Sequence, residues 1–142
     1  MLIDANLLIY AVDIRAAHHE RAAAWLTGVL NGDERVELPW QSIGAFTRIM
    51  TNPRVTARPL GGEEAWELVM GWLAADAVWI PPATEATAAV YQRLLGQTTI
   101  TSNLVPDAQL AALAIQHGVT LCSADSDFAR FPNLRWENPM QG

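Results

Sequence analysis

A chain of 142 residues, 51% of them hydrophobic, is long enough for one packed domain, and its lone cysteine excludes an intramolecular disulfide. The formal net charge of −6 argues against binding nucleic acid through global electrostatics. All nine basic residues are arginines. This excludes chemistry that needs a lysine, such as a phosphate-binding loop, a Schiff base or a lysine-assisted aspartyl phosphatase, and leaves bidentate phosphate recognition open.

In chain order, MLID reads as a very short apolar strand and ANLLIYAV as the helical turn after it, with no basic leader of the kind a signal peptide carries. RAAHHERAAAWLTGVLNGD is expected to form a helix with Ala22, Trp25, Leu26, Val29 and Leu30 on its apolar face, stopped at Asn31–Gly32. VELP is a short strand, followed by the amphipathic stretch PWQSIGAFTRIMTNPR, which the Asn52–Pro53 turn ends. Gly44 sits inside that helix, where glycine costs about 1 kcal/mol relative to alanine. GGEEAWELVMGWLAADA opens with acids, as a helix should. VWIPP is a strand, TEATAAVYQRLLGQ a helix ending at Gly96, and TTITSNLV a polar connection. PDAQLAALAIQHG is a helix with proline at its start and glycine at its end. VTLCSA is a strand carrying Cys122 as a buried, inert thiol, DSDFARF a helical turn and NLRWENP an edge strand. No apolar run approaches the roughly 20 residues of a membrane span.

Strands alternating with helices imply an α/β fold whose central parallel sheet is covered on both faces, with residues 1–142 as one domain. In such sheets the functional crevice lies beyond the carboxyl ends of the strands. Asp4 closes the first strand, Asp125 and Asp127 follow VTLC, and Asp107 opens the helix before it. Each also suits a plain structural role, as a helix cap or a partner of the helix dipole. Asp107 fits that role least, because it shares a helix face with the apolar Leu110, Ala111 and Ala114. A carboxylate on a core-facing stripe needs a partner. With no lysine available, a divalent cation is a reasonable one, and carboxylates suit magnesium or manganese better than zinc. Acids gathered on such ions are the usual apparatus of phosphodiester hydrolysis.

Ile43, Phe46 and Met50 form the apolar face of the glycine-bearing helix, while Gln41, Gly44 and Arg48 lie close to one line on another. Were that second face turned to the acids, Gln41 could hydrogen-bond a metal-bound water and Arg48 could reach a phosphate. No acid lies between Glu37 and Glu63, whereas Arg48, Arg54 and Arg58 do, which marks a local basic patch. His18, His19 and His117 are not placed for catalysis. Trp25, Trp66 and Trp79 fall on apolar faces and read as core, and Trp40 as a stacking surface for a base or a partner side chain.

The segments LIDANLLIYA, LPWQSIGAFTRIMTNPRV and PDAQLAALAIQHGVTLCSADSDFARFPNLRW, with the final NP, together resemble PIN-domain proteins and more narrowly the VapC toxins of bacterial toxin–antitoxin pairs. The resemblance covers nearly the whole chain, and SADSDFARFPNLRW is its most specific block. It implies an α/β/α sandwich with a central parallel sheet, and a cytoplasmic, magnesium-dependent endoribonuclease acting on structured RNA, often transfer RNA. It further implies neutralisation by a VapB-type antitoxin and a homodimer. Residue by residue, Asp4, Asp107 and Asp125 match the family's metal-binding acids and Asp127 an assisting neighbour. Asn6 matches a residue that orients the first aspartate, and Ser123 a small hydroxyl near the metal site. Arg48, Arg54 and Arg58 are candidates for steering RNA.

One family position is empty. Where the family has a motif like EFxRxxTNPR, this chain reads GAFTRIMTNPR, so the glutamate position falls on Gly44 or Ala45. Losing a carboxylate should weaken the hold on a second metal ion. It keeps a rival reading open, a degenerate PIN domain that grips RNA or protein without cutting, with a metal-dependent phosphatase as a third option.

Overall fold

The computed structural model describes residues 1–142. Five two-residue strands, β1 (Leu2–Ile3), β2 (Val36–Glu37), β3 (Val78–Trp79), β4 (Leu121–Cys122) and β5 (Trp136–Glu137), form one sheet in the order β3-β2-β1-β4-β5, with every pairing parallel. The helices are α1 (Ala5–Val12), α2 (His19–Leu30), α3 (Trp40–Met50), α4 (Gly62–Leu73), α5 (Glu85–Leu95) and α6 (Leu104–His117), with a 3-10 turn over Ser126–Arg130.

Alternation along each strand assigns side chains to two layers. Ile3 and Cys122 join Leu7, Leu26, Phe46 and Val69 in the core under α1–α4. Their neighbours Leu2 and Leu121 join Val90, Leu113 and Phe128 under α5 and α6. The sheet is thus sandwiched between two helical layers, the three-layer α/β/α architecture expected. None of these helices is long and apolar enough to cross a membrane.

Several boundaries differ from expectation for local reasons. ANLLIYAV is a complete helix rather than a turn, capped by the Asp4 side chain on the Ala5 amide. Arg15–His18 stay outside α2, their backbone taken up by turns in which Ala16 bonds to Asp13 and His19 to Ala16. α6 starts at Leu104, before Pro106. Proline is tolerated in a first turn because those amides have no intrahelical acceptor. Gly118 ends α6 in the left-handed region at φ 67°, where a side chain would be strained. Trp66 corrects the expectation of a core tryptophan: it is 40% exposed and packs edge-on against the exposed Trp40, with ring centroids 6.2 Å apart. Ala65, Val69 and Trp72 form the buried stripe of α4 instead, Trp72 meeting Phe46 at 4.8 Å.

This topology positions the site. β1 lies between β2 and β4, so the carboxyl ends of β1 and β4 open together at the point where strand order reverses. Burial of α6 on most sides, through Leu104, Ala108 and Leu110–Ala114, anchors its first turn beside that edge.

Candidate functional site

Asp4 leaves β1 in an extended conformation and caps α1, its Oδ1 accepting from the Ala5 amide at 2.8 Å. Its Oδ2 accepts from the Ser123 hydroxyl at 2.7 Å. Ser123, fully buried at the end of β4, is the hub: its Oγ also accepts from Asn6 Nδ2 and from the Asp125 amide, each at 3.0 Å. Asn6 Oδ1 in turn accepts from the Ala124 amide at 3.3 Å, and Trp136 Nε1 donates to the Ser123 carbonyl at 3.0 Å. One hydroxyl thereby locks the ends of β1 and β4 to each other. Replacing Ser123 by alanine leaves the Asn6 carboxamide and the Asp125 amide short of a buried acceptor. We expect about 2 kcal/mol of lost stability, read from chemical denaturation. A melt unchanged from the unsubstituted protein would show that water takes the hydroxyl's place.

Asp125 caps the 3-10 turn through Oδ1, which accepts from the Asp127 amide at 2.9 Å. Asp107 arrives from the first turn of α6 and receives no hydrogen bond from the protein. One carboxylate oxygen from each of Asp107, Asp125 and Asp127 lies within 4.8 Å of the others. Asp4 and Asp107 share the wall of a cleft of about 160 Å³ between α3 and α6, with Gln41, Ser42 and Ala45 opposite.

The charges are poorly balanced. The nearest cation is Arg130, 3.6 Å from Asp127, in a solvent-exposed pair of the weak kind. Burial raises the pKa of Asp4, opposed by the Ser123 and Ala5 hydrogen bonds and reinforced by Asp125. Burial also pushes Asp107 up to about 6, with the Asp125, Asp4 and Asp127 charges adding to the effect. Four neighbouring carboxylates that offer only oxygen donors, two of them, Asp4 and Asp107, held up by burial and the nearby negative charge, fit a hard divalent cation, which relieves that repulsion. Cys122 has no such role; burial holds its thiol up at about 12.

The structure brings together Asp4, Asn6, Asp107, Ser123, Asp125 and Asp127, and places Gln41 on the cleft wall. It does not bring Gly44 there. Gly44 is exposed, and a Cβ built on it meets nothing within 4 Å. The α3 residue facing the acids beside Gln41 is Ala45, so the line through Gln41, Gly44 and Arg48 is not the cleft face. Arg48, Arg54 and Arg58 are exposed and outside the cleft wall; the Arg54 backbone is held by Asn52 and that of Arg58 by Thr56. Sequence reasoning missed Ser42, whose buried hydroxyl donates to the Ile3 carbonyl at 2.7 Å and ties α3 to β1. A polar residue one place before the apolar Ile43 was the available signal.

A family model described as PIN domain matches residues 1–134. Ribonuclease VapC37 of Mycobacterium tuberculosis is 41% identical over 138 residues, which covers 97% of this chain and 96% of the relative. Ribonuclease VapC33 of the same organism is 37% identical with the same coverage. Two solved structures share the fold at low identity. VapBC2 from Rickettsia felis, bound to a DNA fragment from its promoter, matches with a TM-score of 0.70 and 18% identity over 96% of each chain. The sarcin–ricin-loop-cleaving toxin VapC20 of Mycobacterium tuberculosis matches with a TM-score of 0.64 and 16% identity, covering 94% of this chain and 98% of that one. With acids gathered at the strand ends and relatives matched over nearly their full length, the chain belongs to the PIN-domain family, in its VapC branch.

Proposed function

We propose that this chain is the toxin of a type II toxin–antitoxin pair, a cytoplasmic endoribonuclease that hydrolyses RNA phosphodiester bonds with magnesium and is neutralised by a VapB-type antitoxin. The observation that carries this reading is the convergence of Asp4, Asp107, Asp125 and Asp127 from separate elements without a matching set of protein cations. Asp4, Asp107 and Asp125 would hold the ion, with manganese as a substitute, and Asp127 would assist. When bound, the ion lowers the pKa of a water and offsets charge on the scissile phosphate.

The protein's own part is preorganisation. The Ser123 hydroxyl hydrogen is committed to Asp4, and the Asn6 carboxamide fixes that hydroxyl from the other side, so Asp4 keeps one orientation. Asp107 accepts from no protein donor and keeps both oxygens free for a cation or its water. Gln41, on the opposite wall, is within the cleft to hydrogen-bond such a water. Arg48, Arg54 and Arg58, exposed and free of ion pairs, would draw the phosphate backbone toward an otherwise acidic protein. The exposed Trp40, Trp66 and Met70 give α3 and α4 an apolar surface suited to the antitoxin or to a second copy in a homodimer.

Expression of the chain alone in a bacterium should arrest growth, and Asp4→Ala should abolish the arrest. The purified protein should cut RNA with magnesium and stop on chelation. Ala45, a residue that cannot bind metal on the cleft wall, is the specific observation behind the rival reading of a catalytically weakened PIN domain that only binds RNA or protein. That rival expects RNA retention without cutting, and equal growth from the parent and the Asp4→Ala variant.

A further inference from the structure

A second recess, of about 360 Å³, opens between α5 and α6. Gln41 lines both it and the acidic cleft, so the two adjoin across a single side chain. Along α6 the lining alternates: Asp107 and Leu110 face the acids, Gln109 and Ala112 the recess. From α5, Thr84, Thr87 and Tyr91 supply the other wall, at spacings that put them on one side of the helix.

The chemistry of the recess differs from that of the cleft. No charged side chain lines it, so it offers nothing to a phosphate. Its polar groups fall into two sets. The Thr87 hydroxyl donates to Gln116 Oε1, and Gln116 Nε2 donates to Thr84 Oγ1 at 3.4 Å, a chain that pins the α5 wall to α6. Gln41, Gln109 and Tyr91 line the recess and have no side-chain hydrogen bond within the protein. Two carboxamides, each a donor and an acceptor, beside a half-buried phenol ring suit a flat uncharged heterocycle with polar edges.

We infer that this recess seats the nucleobase next to the scissile phosphodiester, with Tyr91 stacking on its face and Gln109 and Gln41 reading its edge. The inference rests on the RNA-hydrolase reading, since that reading places a phosphodiester at the acids one side chain away. It makes the recess a determinant of which base flanks the cut, separate from the residues that promote cutting.

Cleavage of a randomised RNA pool, sequenced at the new ends, tests it. The unsubstituted protein should prefer one base at a position flanking the cut. Gln109→Ala, an exposed position that should not disturb folding, and Tyr91→Leu should each flatten that preference by about tenfold or more while raising KM rather than lowering kcat. A preference kept by both variants, or no preference in the parent, overturns the inference while leaving the nuclease reading intact. If the parent cuts no RNA, the nuclease reading fails. The recess is then judged by NMR titration with the four ribonucleoside 5′-monophosphates. Amide shifts at Thr87, Tyr91 and Gln109 support base binding. Shifts confined to the acidic cleft, or produced in the recess only by an antitoxin peptide, overturn it.

Discussion

Replacing Asp107 by asparagine should lower magnesium-dependent RNA cleavage by about 1,000-fold, the loss of roughly 4 kcal/mol of transition-state stabilisation. In the metal-free protein the same substitution should raise the melting temperature. The two effects have one cause. Asp107 is half-buried beside three other carboxylates, which pushes its pKa from 3.8 up to about 6. Between those values the folded protein binds more protons than the unfolded chain, so this group's contribution to stability falls as pH rises through that window. The full shift corresponds to about 3 kcal/mol, and water around this partly exposed group screens it to about 1 kcal/mol. Asparagine removes the charge and with it the penalty. Without metal, the variant should therefore melt with the parent near pH 4, pull ahead between pH 4 and 6, and keep a lead of about 4 °C above that. Added magnesium should narrow or reverse the lead, because it stabilises only the protein with the intact ligand set. Scanning calorimetry across pH, with and without magnesium, reads all of this. Parallel melting at every pH would mean that the Asp107 charge is solvated and the acids are not a coupled cluster.

Asp4, Asp125 and Asp127 were legible in the sequence because the sheet converts chain position into spatial position. A carboxylate directly after a strand of an all-parallel sheet must lie at one edge. Asp107 was legible for a different reason, a charge on a stripe otherwise made of leucine and alanine. Family likeness implied only a small hydroxyl near the metal site at Ser123; its three-way connection to Asp4, Asn6 and Asp125 depends on the register Ile3↔Cys122, which no local pattern encodes. Helix rotation was the least legible quantity. Successive residues turn by about 100°, so misjudging which polar side of α3 faces β1 exchanges Gly44 for Ala45. α4 shows the same limit: Trp66 and Trp72 both continue apolar stripes, and contact with Phe46 decides which one is core. The recess between α5 and α6 left no signal at all, since threonine, glutamine and tyrosine on outer helix faces look like ordinary solvated surface.

That rotation makes the second large prediction a sharp one. Ala45→Glu should tighten magnesium binding about tenfold, or about 1.4 kcal/mol, whereas Gly44→Glu should not change it. Both variants add one negative charge at neighbouring positions, so long-range attraction for the cation is nearly the same in each. What differs is direction. Ala45 shares the cleft wall with Asp4 and Asp107, and a carboxylate there joins the cluster. Gly44 points into open space, so a glutamate there is a solvated surface charge. Stability should move oppositely. Without metal, a further carboxylate at position 45 adds repulsion to a group already strained by it, costing about 1 kcal/mol. At position 44, replacing an exposed mid-helix glycine should gain about 0.5–1 kcal/mol, because the unfolded chain loses freedom and the new Cβ meets no neighbour within 4 Å. Isothermal titration with magnesium and with manganese, paired with metal-free melts, separates the cases. Equal tightening in both variants would reduce the effect to net charge, and tightening at position 44 alone would mean that α3 is rotated by one residue. Tightening at 45 alone would establish that this chain runs its chemistry at a site one carboxylate short, and cleavage by Ala45→Glu would then show how much rate that missing ligand withholds.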